Sequence, residues 1–174
     1  MVQIKTELFF KAKHQTLYQD IFDLTQSLQQ TYPDYKNWYN QTFLEGLKKR
    51  ERGIIVALDD KKMIGCALIK NTPEEKKLCT LFVHPDYRRR GIAAQLLKET
   101  VRVLGEKPFV TVSENNKQFV DKLFDQFRFH LSATKKSVYL PNKKEYYFND
   151  AQADAIQNKL IPVLIQRQKQ LKKS

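Results

Sequence analysis

The stretch Leu81-Phe82-Val83-His84-Pro85-Asp86-Tyr87-Arg88-Arg89-Arg90-Gly91-Ile92-Ala93-Ala94 decides how this chain is read. An apolar strand ends at His84, Pro85 breaks it, and a basic turn runs straight into a helix that opens with Gly91, Ile92, Ala93 and Ala94. The first N–H groups of a helix have no partner inside it, and the aligned peptide dipoles place about half a positive charge at that end. Such an end binds anions. Small residues let a phosphate come close to the backbone, and three consecutive arginines add bidentate donors around the same point. The turn is not a Walker loop, because no Gly-Lys-Ser/Thr follows. It is not a dinucleotide fingerprint either, because it holds a single glycine.

On the N-terminal side, Val2 to Phe10 is rich in β-formers and reads as a strand. Leu17, Ile21, Leu24 and Leu28 predict a helix over His14 to Gln30. Pro33-Asp34 interrupts it, and a second helix is expected over Tyr35 to Lys48. Gly53 to Leu58 and Met63 to Ile69 flank Asp59-Asp60-Lys61 and read as an antiparallel hairpin, and Leu78 to Val83 is a further short strand. On the C-terminal side, Ile92, Leu96, Leu97, Val101 and Leu104 form the inner row of a helix over Gly91 to Leu104, and Phe109 to Val112 is the strand after it. Asn115 to Phe127 reads as a helix with Phe119, Leu123 and Phe127 on its inner face. Extended pieces follow near Phe129 to Ala133 and Lys144 to Phe148. Asp150 caps a last helix with Ala153, Ile156, Leu160 and Val163 in register, kinked or restarted by Pro162.

The 174 residues correspond to about one domain, at roughly 150 residues each. With 41% hydrophobic residues the chain can build a core, which excludes wholesale disorder despite 29% charged residues. Cys66 and Cys79 are too few and too badly spaced for a metal cluster or disulfide framework, and read as buried free thiols of a reducing compartment. No stretch reaches the roughly 18 apolar residues of a membrane span, and the first residues lack the apolar core of a signal peptide, so the expected location is the cytosol. The 31 Lys and Arg against 19 Asp and Glu leave a net charge of +12. Between Arg128 and Ser174 stand ten Lys and Arg and three Asp and Glu, so +7 of the +12 lies there, well away from the arginine triplet. A basic third of that kind attracts acidic partners, nucleic acid among them.

Arg88-Arg89-Arg90-Gly91-Ile92-Ala93 meets the Gln/Arg-x-x-Gly-x-Gly/Ala signature of the GNAT N-acetyltransferase superfamily, between the strand and the helix that the signature requires. The chain resembles that family over roughly Val2 to Phe148. The resemblance implies an α/β fold over residues 1–149, with a mixed, largely antiparallel central sheet, splayed central strands and flanking helices. Residues 150–174 are left as a basic helical extension. It further implies acetyl-CoA as co-substrate without a metal, and transfer of its acetyl group to a primary amine of a small molecule or protein. By the same resemblance, the backbone of Leu81, Phe82 and Val83 pairs with the pantetheine arm, and Arg88, Arg89, Arg90, Gly91, Ile92, Ala93 and Ala94 hold the pyrophosphate. Asn116 and Phe124 of the later helix complete the coenzyme site, and the thioester lies where Leu78 to Val83 and Phe109 to Val112 diverge.

Acyl transfer to an amine needs a neutral amine and a departing thiolate. A lysine-like amine with a pKa near 10.4 is neutral in about one molecule in 2,500 at pH 7, a cost of about 4.6 kcal/mol, whereas releasing a thiolate of pKa near 8.5 costs about 2 kcal/mol. The base therefore matters more than the acid. The family commonly places an acidic tyrosine within Leu-Tyr-x-x-x-Gly-Phe. Here Leu123-Phe124-Asp125-Gln126-Phe127-Arg128-Phe129 has Phe124 in place of the tyrosine and Arg128 in place of the glycine. Tyr139, Tyr146 and Tyr147 are the substitute candidates, Tyr139 first.

Strict alternation would put Cys79 and Leu81 on one face of their strand and Thr80, Phe82 and His84 on the other, with no carboxylate among them. Candidate bases are then Glu74 or Glu75 before the strand, His84 after it, or a water chain to a distant group. Cys79 is a poor nucleophile, because a thiol in an apolar strand stays protonated. Tyr32, Tyr35, Trp38, Tyr39 and Phe43 crowd the region expected to border the acceptor, most of them as core. Two other readings stand beside the amine acetyltransferase: acetylation of an RNA-linked amine such as aminoacyl-tRNA, and a catalytically weak acyl-CoA- or nucleic-acid-binding module. The terminal segment packs on its own domain or pairs across a homodimer.

Overall fold

Ile54, Ile55, Val56 and Ala57 face Leu68, Ala67, Cys66 and Gly65 across a hairpin whose residues are buried on both sides, which is why these runs are continuously apolar instead of alternating. The two strands are β2 (Arg52–Asp59) and β3 (Lys62–Asn71), joined through Asp60, whose φ of 52° makes the tight turn. The computed structural model describes residues 1–7 and 14–156. Around the hairpin, β1 (Val2–Glu7), β4 (Lys76–Val83), β5 (Phe109–Ser113), β6 (Leu131–Lys136) and β7 (Lys144–Phe148) complete a seven-stranded sheet in the order β1-β2-β3-β4-β5-β7-β6. Every neighbouring pair is antiparallel except β4 with β5.

Helices cover both faces. On one side lie α1 (Gln15–Thr25), a 3-10 turn (Gln26–Gln30), α2 (Tyr35–Asn37), a π-helical segment (Trp38–Phe43) and α3 (Leu44–Lys48). Their Tyr18, Ile21, Tyr35, Tyr39, Phe43 and Leu47 pack on Ile54, Val56, Cys66 and Leu68. On the other side α4 (Ile92–Leu104) and α5 (Glu114–Gln126) pack Ile92, Leu96, Leu97, Leu104 and Phe124 on Ile55, Ala67, Ile69, Leu78, Val110 and Val112.

Several sequence expectations change. The helix expected to reach Gln30 stops being α-helical at Thr25. The Thr25 hydroxyl bonds back to the Ile21 carbonyl at 2.7 Å and accepts from Tyr35 Oη at 2.9 Å, and the chain continues as a 3-10 turn. The inner face of α5 is Val120, Leu123, Phe124 and Phe127, and Phe119 points outward at 70% exposure. Leu123 and Phe127 are on the inner face as expected, and Phe119 alone is not. Asp150 does cap the last helix, accepting from the Gln152 and Ala153 N–H groups, but Ile156, expected on its inner face, is exposed. Residues 8–10 of the expected first strand, and Leu160, Pro162 and Val163, lie outside the described residues, as do Lys159, Arg167, Lys169, Lys172 and Lys173 of the basic tail.

Phe124 lies stacked on Phe129 (ring centroids 4.8 Å) and edge-on to Phe148 (4.9 Å) at 2% exposure. Phe124→Ala is expected to cost about 3–5 kcal/mol of stability, a loss that urea unfolding followed by circular dichroism measures.

Candidate active site

Strands β4 and β5 pair at two positions only, Lys77 with Phe109 and Leu78 with Val110. The cause stands in the next residue. Leu68 of β3 pairs with Thr80 and Ile69 with Leu78, so Cys79 is an extra residue, a β-bulge. A bulge bends its strand and increases the local twist, and beyond it β4 leaves β5 while staying with β3. The bulge also overturns the strict alternation expected along Leu78 to His84. Leu78 and Leu81, three residues apart, both pack with the α4/α5 core, and Cys79 does not share the Leu81 face. Cys79 is half-buried, not fully buried as expected, and receives a hydrogen bond from Arg52 Nη1 at 3.2 Å. Burial raises its thiol pKa, against the pull of Arg52 and Lys77.

Past the bulge, one backbone edge of β4 faces the gap. The His84 N–H donates to the Ile64 carbonyl at 2.8 Å, so His84 and Phe82 direct their peptide groups toward β3, and those of Leu81 and Val83 point the other way. The Val83 carbonyl is taken by Arg88 Nε at 3.1 Å, which leaves Leu81 as the open position.

The strand then enters the basic turn. A 3-10 turn (Pro85–Tyr87) is followed by Arg89 and Gly91 at φ of 60° and 77°, and the first helical bond of α4 runs from the Gln95 N–H to the Gly91 carbonyl. The amides of Ile92, Ala93 and Ala94 precede that bond and open outward. Gly91 is where the left-handed conformation and close approach are needed, and a Cβ there would meet nothing within 4 Å. Arg88 and Arg90 bind the turn itself, at Val83 O and Asp86 O, and Arg90 also lies over the Tyr87 ring, so Arg89 is the exposed arginine not engaged in building it.

The other expected residues scatter. Glu75 pairs with Lys70 at 2.7 Å, and Glu74 is exposed. His84 Nδ1 accepts from the Asp86 N–H at 3.3 Å, so the ring caps the 3-10 turn. Asn116 is half-buried in the first turn of α5, and Phe124 is a core ring. Tyr139 packs edge-on against Tyr32 at 5.1 Å, on the sheet face covered by α1 to α3. Tyr146 packs toward the α4/α5 core, and Tyr147 stacks with Phe109 at 5.9 Å.

Beside Tyr139 lies a residue that sequence reasoning missed. Val110 and Val112 face α4 and α5, so Thr111 and Ser113 of β5 face the opposite side; likewise Phe148 and Tyr146 of β7 face the core, and Glu145 does not. Glu145 stands opposite Ser113, is 3% exposed, and its Oε1 has no hydrogen-bond partner among the described residues. Burial pushes its carboxyl up to about 7, although the Thr111 hydroxyl and the Lys77 charge pull it down. Burial likewise pushes Tyr32 up to about 12, with the Glu145 charge adding to it and Ser113 opposing. The only available signal was the position of Glu145 in Lys144 to Phe148, one residue out of phase with Tyr146 and Phe148. A groove of about 510 Å³ lies elsewhere, between α1 and the β2–β3 turn, with Asp20, Asp23, Lys61 and Lys62 on its walls.

Residues 15–121, which contain the turn, the bulge and the gap, match the model of the acetyltransferase (GNAT) family. The chain belongs to that family. No match was found among the curated proteins. Among solved structures, one from Desulfovibrio desulfuricans assigned to the GNAT family is similar with a TM-score of 0.66 at 18% identity, covering 85% of this chain and 97% of that one. An aminoglycoside 6'-N-acetyltransferase complexed with coenzyme A follows at 0.63 and 13%, covering 84% and 94%. The ribosomal-protein-S18-alanine N-acetyltransferase from Escherichia coli stands at 0.63 and 16%, covering 85% and 92%. At these identities the likeness is one of fold, and it includes the mixed, mostly antiparallel sheet expected from the GNAT signature.

Glu145 makes stability depend on pH. Its folded pKa of about 7 lies above the ordinary 4.5, so the folded state holds the proton more tightly. That contribution is fully present below 4.5 and is lost as pH rises through 7. The melting temperature of Glu145→Gln, relative to that of the parent protein, should therefore rise between these two values, as parallel thermal melts will show.

Proposed function

We propose that this protein is an acetyl-CoA-dependent N-acetyltransferase acting on a primary amine of a small molecule or protein. The observation that carries this reading is the two-residue pairing of β4 with β5, which ends at the Cys79 bulge on the strand that leads into the basic turn. The residues fit the co-substrate along its length. The amides of Ile92, Ala93 and Ala94 and the Arg89 guanidinium receive the pyrophosphate, and Gly91 keeps side-chain bulk away from it. The Leu81 peptide edge takes up the amide-bearing arm as an added strand. Bound there, acetyl-CoA supplies an activated thioester.

Cys79 contributes through the backbone, since its bulge opens the gap, while burial keeps its thiol protonated. The face of the gap under α1 to α3, with Tyr32 and Tyr139, is where an acceptor amine enters. The relatives of this fold include one enzyme named for an aminoglycoside and one named for an alanine of ribosomal protein S18, which supports an amine acceptor on a small molecule or a protein.

Gly91→Glu places a carboxylate in the anion turn without a steric clash, at a backbone cost of about 1–2 kcal/mol for a side chain at positive φ. Calorimetric titration with acetyl-CoA is expected to show affinity reduced at least about tenfold, while Gly91→Ala, which carries only the backbone cost, loses less. Unchanged affinity in Gly91→Glu would place the pyrophosphate elsewhere.

A further inference from the structure

We propose that Glu145 is the general base of the acceptor site: its carboxylate takes the proton that the acceptor ammonium must lose before the nitrogen attacks the thioester. This rests on the acetyltransferase reading and adds to it the residue that solves its most expensive step.

The placement is geometric. Glu145 sits on β7 directly opposite Ser113 of β5, the strand that walls the gap, and on the acceptor side of the sheet. Groups from the neighbouring elements surround it: Lys77 of β4, Thr111 and Ser113 of β5, Lys135 at the paired position of β6, Tyr32 ahead of α2, and Tyr139 in the β6–β7 turn. Neither lysine forms an ion pair with it. Lys77 Nζ lies over the Phe109 ring at 4.7 Å, and Lys135 Nζ over Tyr147 at 4.5 Å. A buried carboxylate oxygen without a partner is costly, and a protein that merely needed a strand residue there would carry an uncharged one. Glu75 pairs with Lys70, and His84 turns its Nδ1 to the Asp86 N–H of the 3-10 turn.

The same burial that leaves Oε1 unpaired raises the carboxyl to about 7, so it is partly ionised at neutral pH and basic enough to accept a proton. In the step itself the amine nitrogen bonds to the thioester carbonyl carbon and the C–S bond breaks with its electron pair on sulfur. The ammonium proton ends on Glu145, which releases it to water, and the second proton that the nitrogen loses as the amide forms passes to the departing thiolate, so that the coenzyme leaves as the thiol. Tyr32 and Tyr139, both held neutral by burial, wall the approach without adding charge that would compete for the ammonium.

The test follows thiol release from acetyl-CoA by the full chain, with kanamycin, spermidine, a hexapeptide with a free N-terminus and hydroxylamine as acceptors. The parent protein is expected to show kcat/KM rising with pH through an apparent pKa near 7. Glu145→Gln loses that limb and about 10²-fold or more of the rate on basic amines. It loses far less on hydroxylamine, which is already neutral at neutral pH. Glu145→Asp, with its carboxylate one methylene back, keeps the limb at a reduced rate. A parent protein active on a basic amine, with Glu145→Gln folded, within about threefold of it and keeping the limb, overturns the assignment of Glu145 alone. A parent protein that binds acetyl-CoA but turns over none of the four acceptors overturns the acetyltransferase reading beneath it.

Discussion

One extra residue in a strand organises the working part of this molecule. Strand β4 must satisfy β3 along its whole length, because β3 is buried on both faces and cannot leave its peptide groups unpaired. It must also meet β5 to close the sheet. The Cys79 bulge reconciles the two demands, since before it β4 pairs with both neighbours and after it with β3 alone. The gap, the open peptide edge at Leu81, the direction in which the chain enters the turn, and the placement of Gly91 at the mouth all follow from where that residue falls.

The two helical layers then divide the labour by chemistry. The face under α4 and α5 is closed by aliphatic side chains and the Phe124, Phe129 and Phe148 cluster, which hold β5 and β7 rigidly to the helices. The opposite face is aromatic and polar at its edge. Tyr35 and Tyr39 anchor their hydroxyls on Thr25 and the Tyr18 carbonyl, so they belong to the core, while Tyr32 and Tyr139 remain at the rim with Glu145 between the strands.

The arginine triplet illustrates how a charge count differs from a charge function. Three guanidinium groups in a row suggest three phosphate ligands, yet Arg88 and Arg90 are turned back onto the carbonyls of Val83 and Asp86. Their work is to shape the loop that presents the amides, leaving Arg89 exposed for a ligand.

From its residues alone the chain disclosed the family signature, the strand-turn-helix around it, the central hairpin and the order of the elements, because these depend on local spacing, on glycine and proline, and on apolar runs that neighbouring residues create. The outward turn of Phe119, the end of α1 and the bulge were not legible. Phe119 and Phe124 are equally apolar on paper, Thr25 ends a helix only because Tyr35 comes to meet it, and Cys79 is extra only when counted against β3. Glu145 is the sharpest case. It belongs to no motif and lies far along the chain from Glu74, Glu75 and His84, and its burial arises when β7 inserts between β5 and β6, a pairing between distant segments that no local pattern encodes.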